Sequence, residues 1–215
     1  MALATQGLIL QLIGDHRAAA GSLEQALALS AGDGSSLSRA IALNCLGVVQ
    51  QETGEYEAAI ASQQQAFALF RDFGDLLGQA NCLNDVGLVQ QETGDFEAAE
   101  ASHRQALELF RELDRPLGEA EALNRLGELA TRTSAMERAR EVHGQALAIA
   151  RDLELAFEEA RALEGLGQSY LQADHRAEAA DYLQQALTIY ARIGVPGARR
   201  VEDVLKDHEL AGPAH

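Results

Sequence analysis

The chain has 215 residues, and its 33 acidic side chains outnumber its 17 lysines and arginines to give a formal net charge of -16. This balance argues against direct binding to nucleic acid or to an anionic membrane, because no basic stripe is present. No leader or long apolar run predicts export or membrane insertion. The two cysteines, Cys45 and Cys82, lack paired spacing, so we expect free buried thiols in a reducing cytoplasm.

A six-residue pattern recurs in the sequence at a step of forty residues. The unit Ala-Leu-Asn-x-Leu-Gly at 42–47 returns, slightly varied, at 82–87, 122–127 and 162–167. Such a period is typical of repeat proteins in which each copy buries the apolar face of its neighbour. Composition shows no linker, so we expect one continuous domain. We predict five copies, at about 1–34, 35–74, 75–114, 115–154 and 155–194.

Each copy is expected to form two helices, since its apolar residues fall at intervals of three, four and seven without alternation. Two breaks delimit helices of roughly 15 residues. The first break, at Thr53-Gly54-Glu55 and its counterpart forty residues later, offers a glycine for the left-handed position and an acid for the N-cap. The second break predicts Asp75 and Asp114 as N-caps, with Pro116 in a first turn.

Glycines recur in the middle of the first helix of each copy, where each costs about 1 kcal/mol relative to alanine. A repeated cost of this kind indicates a packing requirement. We predict a close approach to the second helix, with small residues opposite the glycines. The glycines are Gly47, Gly87, Gly127 and Gly167, and the predicted partners are Ala59, Ala99, Ala139 and Ala179.

The two ends of the chain differ from the repeats. Residues 195–210 predict a C-terminal capping helix, because Val201, Val204 and Leu205 share one side and charged residues the other. Residues 211–215 are predicted to be disordered. The first copy has room for only a short first helix before Gly7. Its open apolar edge therefore offers a surface for homodimer formation.

The order of conserved-type residues within a copy resembles the tetratricopeptide repeat. It is carried in the second copy by Leu43, Leu46-Gly47, Gly54, Tyr56, Ala59 and Ala66. The forty-residue period is similar to the lengthened repeats of kinesin light chains, of bacterial peptide-pheromone receptors, and of actinobacterial SARP-type and STAND-class regulators. The amino-acid sequence of the repeats is most similar to that of the last group. The resemblance implies an all-α, right-handed superhelical solenoid of five repeats plus the capping helix. It also implies a concave groove lined by first helices, which binds peptides or partner domains.

The sequence contains little that predicts chemistry. Gly165-Leu166-Gly167 resembles part of a nucleotide-binding fingerprint, but it lies mid-helix without a preceding strand. The histidines lack metal-ligand spacing, and the glutamates follow the i, i+3 and i+4 steps of solvated helix faces. We therefore predict no enzymatic activity, no metal and no cofactor.

Asparagines occupy the same place in three successive first helices, although asparagine is a poor helix former. Its amide both donates and accepts hydrogen bonds, so it can clamp the backbone of an extended peptide. The alternative is an inherited repeat consensus that bonds neighbouring helices, and the sequence leaves both open. The predicted peptide-binding residues are Asn44, Asn84, Asn124, Gln51, Gln91, Val48, Leu88 and Asn81.

Two classes of function remain open. The first is a non-catalytic module that binds a peptide or protein segment, as the sensor or interaction domain of a bacterial transcriptional regulator. The second is a structural or self-associating scaffold without a dedicated ligand. Acids such as Asp85 and Glu121 lie near the asparagine stripe, whereas Arg125 and Arg161 follow further along. This distribution indicates an acidic and a mixed half of the expected groove.

Overall fold

A computed structural model describes residues 5–7, 9–10, 14–30 and 36–210, and the regular structure of these residues is helical throughout. The all-α class is therefore confirmed for them. The tail predicted at 211–215 lies outside the described residues. The helices are α1 (His16–Ser30), α2 (Ser36–Glu52), α3 (Tyr56–Phe73), α4 (Leu76–Thr93), α5 (Phe96–Glu112), α6 (Pro116–Arg132), α7 (Met136–Asp152), α8 (Ala156–Gln172), α9 (Arg176–Ile193) and α10 (Gly197–Asp207).

The chain divides into two compact units, residues 1–113 and 114–215. In the first unit, α1 to α5 pack consecutively, and α2 also contacts α4. In the second unit, α6 to α10 pack consecutively, and α6 also contacts α8. We therefore call α2, α4, α6 and α8 the first helices, and α1, α3, α5, α7 and α9 the second helices, of helix-turn-helix repeats.

The turns of the first unit follow the sequence prediction at the glycines and at Asp75, but the side-chain N-cap predicted at Glu55 was wrong. Gly54 and Gly74 adopt the left-handed conformation, with φ of 80° and 70°, where a β-carbon would be strained. The carboxylate of Asp75 accepts a hydrogen bond from the backbone N–H of Gly78 at 2.9 Å and so caps α4. Glu55 precedes α3 without capping it, because its carboxylate accepts from the nearby Thr53 hydroxyl instead.

Four turns of the second unit use residues other than glycine at the left-handed position, whereas Gly194 before α10 keeps the glycine. Asp114 has φ of 52°, so its prediction as an N-cap was wrong. Arg115 is the N-cap residue, and Pro116 begins α6 as expected. Asp114 occupies the place of Gly74 in the repeat and takes over its conformation, which aspartate tolerates better than most residues. The same substitution occurs at Ser134, Glu154 and Asp174.

Small and branched apolar residues fill the interior of each unit. Two alanines that recur in each of the second helices α3, α5, α7 and α9 are fully buried: Ala59, Ala66, Ala99, Ala106, Ala139, Ala146, Ala179 and Ala186. In the second unit, α10 packs on α9 and buries Val201 and Leu205. This contact confirms the capping helix that the sequence predicted.

The mid-helix glycines accommodate a long side chain from the second helix of their own repeat. A β-carbon on Gly87 would lie 2.7 Å from the His103 ring, and one on Gly47 would lie 2.8 Å from Gln63. The packing requirement is confirmed, but the nearest atoms of the second helix belong to a long side chain and not to its backbone or to the alanines proposed as partners. The glycine makes room for a bulky side chain sixteen residues later. The pairs are Gly7–Leu23, Gly47–Gln63, Gly87–His103, Gly127–His143 and Gly167–Leu183.

Candidate binding site in the first helices

The asparagines predicted to bind peptide lie next to these glycine contacts. In the first unit, Asn84 is 4% exposed, and its Oδ1 lies 2.9 Å from Nδ1 of His103. The His103 ring, which fills the space beside Gly87, is thus also held by Asn84, one helical turn before Gly87 on α4. The Asn84 side chain therefore bonds a neighbouring helix of its own repeat. This contact agrees with the alternative to peptide binding, in which the asparagines are a repeat consensus that bonds neighbouring helices.

Asn124 has the same role in the second unit and is fully buried. Its Nδ2 donates to the backbone carbonyl of Glu158 at 3.1 Å and to the Glu158 carboxylate at 2.8 Å. Its Oδ1 must therefore accept, so Nδ1 of His143, 3.1 Å away, carries the proton. Burial lowers the pKa of His143 to about 4, which agrees with a neutral ring. Asn124 thus joins its own repeat to the first helix of the next.

Asn44 also contacts the next first helix. Its Oδ1 accepts from the thiol of Cys82 at 3.0 Å. Burial raises the pKa of Cys82, so the thiol stays protonated and able to donate. Both cysteines are free, as predicted; Cys82 is buried and Cys45 is half-buried.

The remaining residues of the predicted set differ in exposure. Gln91 is buried, whereas Asn81 is exposed. Asn44, Val48 and Gln51 are half-buried and share one face of α2, because they are spaced four and three residues apart. Leu88 is half-buried on the face of α4 that carries Asn81. The structure therefore leaves two short partly exposed faces, on α2 and on α4 of the first unit.

The second unit contains a cleft of about 500 Å³ lined by α6, α8, α9 and the start of α10. Buried Arg161 donates to Glu128 at 2.7 Å and to Glu158 at 3.2 Å. Arg200 of α10 forms two parallel bonds of 2.7 Å to Glu164. Such paired guanidinium–carboxylate bonds fix the geometry of both partners.

The two carboxylates that line this cleft, Glu128 and Glu164, both pair with guanidinium groups. Burial would raise the pKa of Glu128, but the guanidinium groups of Arg161 and Arg125 lower it to about 2. The carboxylate of Glu164 receives two further bonds besides those of Arg200, from the Tyr190 hydroxyl at 3.0 Å and the Gln168 amide at 3.2 Å. Burial and the Glu164 charge raise the pKa of Tyr190, so this hydroxyl stays a donor.

Sequence reasoning did not find this cleft. The sequence placed Arg125 and Arg161 in a mixed half of the expected groove. Glu164 stands in the fifth copy at the position that asparagine holds in the three preceding copies. The cleft residue that the sequence did not predict is Arg200, which lies on α10 outside the repeats. Its pairing with Glu164 across 36 residues closes the cleft, and no local signal in the sequence connects them.

The sequence profile of the tetratricopeptide repeat matches residues 38–112 and 118–192. The chain belongs to the tetratricopeptide repeat family. The two matched segments together cover more than half of the chain, and each contains two pairs of a first and a second helix. Comparison with curated proteins gives no match.

Solved structures of repeat proteins share this fold. BtubC from P. vanneervenii has 22% sequence identity and a TM-score of 0.70 over 99% of this chain and 82% of that chain. The STAND protein with a tetratricopeptide repeat sensor from Pyrococcus horikoshii has 17% identity and a TM-score of 0.81 over 95% and 31%. A Rap protein in complex with competence and sporulation factor has 19% identity and a TM-score of 0.70 over 78% and 47%.

Neither a membrane span nor a metal site is found in the part of the chain that the structure describes. None of its helices is both long and apolar enough to cross a membrane. Its His, Cys, Asp and Glu side chains form no group of three or more that could hold a metal ion.

Proposed function

We propose that this chain is a non-catalytic binding module that holds a peptide or partner segment against the partly exposed faces of α2 and α4. The supporting observation is the combination of amide and apolar side chains on these faces. Asn44, Val48 and Gln51 are half-buried on α2, and Asn81 is exposed on α4. Amides can bond the backbone of an extended segment, while Val48 contacts its apolar side chains.

The proposed biological role is the sensor or interaction domain of a bacterial transcriptional regulator in the cytoplasm. Two structural relatives support it. One is a STAND protein whose repeats are a sensor, and the other is a Rap protein bound to competence and sporulation factor. Both contain the same helical array, which supplies a rigid surface for recognition rather than reactive groups.

A library of random peptides, displayed on phage and selected against the 215-residue chain, tests the proposal. Selected peptides are measured against a face variant, Asn44→Ala/Gln51→Ala/Asn81→Ala. We expect the face variant to weaken binding at least about tenfold, since each lost amide leaves a desolvated backbone group unpaired. The control is Gln64→Ala/Gln65→Ala, which removes two exposed amides from α3.

The two variants separate the outcomes. Loss of affinity in the face variant with wild-type affinity in the control supports binding on α2 and α4. Equal affinities for wild type, face variant and control contradict it, as does a selection that enriches no sequence. Circular dichroism spectra and thermal midpoints of both variants show whether the fold is intact.

Self-association is a second candidate function, because large apolar side chains at the start of each first helix are exposed. Leu37 and Leu77 of the first unit are 43% and 36% exposed, and Leu117 and Phe157 of the second are 56% and 49% exposed. Repeated apolar exposure of this kind is typical of interaction surfaces. Light scattering over a range of concentrations tests this function: a constant monomer mass contradicts it, and a dimer that Leu37→Asp/Leu77→Asp dissociates supports it.

A further inference from the structure

The cleft of the second unit retains hydrogen-bond donors after all of its carboxylates are paired. Glu128 receives Arg161 and Arg125, and Glu164 receives four donors. Arg125 bonds Glu128 through Nη1, which leaves its Nη2 as a donor, whereas its Nε has no partner within the described residues but is buried. Arg200 bonds Glu164 through Nε and Nη2, so its Nη1 remains as a hydrogen-bond donor.

The unused groups therefore favour a ligand that accepts hydrogen bonds. Glu158 also pairs with Arg161, and Glu121, whose pKa is raised by burial, adds a further acid near these groups, so the cluster carries no excess of positive charge. The preference thus follows from the hydrogen-bond inventory rather than from net charge. Guanidinium donors bond carboxylates more strongly than neutral carbonyls, so a carboxylate is the acceptor that fits them best.

One wall of the same cleft is apolar and exposed. Phe157 is 49% exposed. The centroid of its ring lies 6.3 Å from that of the Tyr190 ring and 5.9 Å from the guanidinium carbon of Arg161. Pro196, which is exposed, also lines the cleft. An aromatic or aliphatic group placed against Phe157 would cover apolar surface now in contact with water.

We propose that this cleft binds a carboxylate attached to an apolar body, with the carboxylate on Arg125 and Arg200 and the apolar part against Phe157. The inference extends the proposed binding function, since α6 and α8 are first helices, and adds a site separate from the faces on α2 and α4. A cavity of about 500 Å³ is within the size range of small-molecule sites. The carboxylate comes either from a free small molecule or from an acidic side chain of a peptide.

Two matched pairs of probes test the proposal on the full chain by calorimetry. Phenylacetate and phenylacetamide represent the free molecule, and acetyl-Phe-Asp-amide and acetyl-Phe-Asn-amide represent the peptide. We expect the acid of at least one pair to bind at least about tenfold more tightly than its amide, as a charge-assisted bond predicts. Arg125→Gln removes this difference, and Phe157→Ala weakens the acid and the amide alike.

The control is Arg199→Gln, which removes the same charge from an exposed residue of α10 that does not line the cleft. Arg125→Lys keeps the positive charge but lacks the planar set of guanidinium donors. This variant replaces Arg125→Gln if the latter fails to fold, and we expect it to lose the preference for the acid as well. Acid preference in one probe pair supports the site and identifies the source of the carboxylate.

Acids that bind no better than their amides overturn the proposal, as does equal acid affinity in the Arg125→Gln and Arg199→Gln variants. The variant Asn44→Ala/Gln51→Ala leaves phenylacetate binding unchanged, because neither residue lines the cleft. Failure of the cleft and failure of the peptide-binding faces are therefore distinguishable.

Discussion

The imidazole of His143 lies so close to Gly127 that a β-carbon on this glycine would stand 2.5 Å from Nε2. The ring is fully buried, and Asn124 holds its Nδ1 from the same helix as the glycine. Gly165 of α8 is also in contact with the ring, so two first helices enclose one side chain of α7. The ring has no space to move away from an added methyl group.

Replacement of Gly127 by alanine is expected to lower the free energy of unfolding by about 1 to 3 kcal/mol, because the buried ring must shift and overpack its surroundings. Gly144 is the matched control, since it lies inside α7 with nothing within 4 Å of its missing β-carbon. Gly144→Ala is expected to raise stability by about 0.5 to 1 kcal/mol through helix propensity. Chemical denaturation measures both, and effects of the same sign would contradict the packing argument.

Stability should fall as the pH falls from about 6.5 to about 4. Burial lowers the pKa of His143 to about 4, while an unfolded histidine titrates near 6.5. The unfolded state therefore takes up the proton first, and the free energy of unfolding decreases by up to about 3 kcal/mol over this range. His143→Gln, which copies Gln63 of an earlier repeat, should show a shallower decrease in urea unfolding from pH 7 to pH 4.5. Identical pH profiles would contradict this account.

The buried and exposed asparagines should respond in opposite ways to alanine substitution. Asn124→Ala is expected to destabilise the chain by about 1 to 3 kcal/mol, because it leaves His143 and the backbone carbonyl of Glu158 without their partner in a buried site. Asn81→Ala should change stability by less than about 0.5 kcal/mol, since Asn81 is exposed. Thermal midpoints of the two variants check the prediction, which fails if the two shifts are equal.

The left-handed residue between α7 and α8 offers a stabilising substitution. Glu154 is exposed and has φ of 55°, a conformation that costs a residue with a β-carbon about 1 to 2 kcal/mol. Glu154→Gly keeps the backbone bond from residue 154 to Arg151 and should raise stability by about 0.5 to 1 kcal/mol after the entropy cost of glycine. The reverse change at the equivalent turn two repeats earlier, Gly74→Ala, should be destabilising, because Gly74 has φ of 70°. Differential scanning calorimetry of both variants decides the matter.

Much of the fold could be predicted from the sequence because its determinants are local. The period, the paired helices, the turn glycines and the cap at Asp75 all depend on residues within a few positions of one another. The role of Asp114 was predicted wrongly, because aspartate is common both as an N-cap and at the left-handed position.

The surroundings of the asparagines could not be predicted in the same way. Asn124 meets residues 19 and 34 positions later, and Glu164 meets Arg200 36 positions later. Helical periodicity places a side chain on a face of its own helix but does not give its partner on another helix. The polar contacts between helices, and the cleft that they form, therefore required the structure.

The glycine and the side chain that fills its space lie sixteen residues apart, always within one repeat. A duplication of forty residues therefore copies both halves of the contact together. A new copy arises with its interior already matched, and the filling residue is free to change among leucine, glutamine and histidine while the glycine is kept. Variation in the number of copies and refinement of each interior can thus proceed independently during evolution.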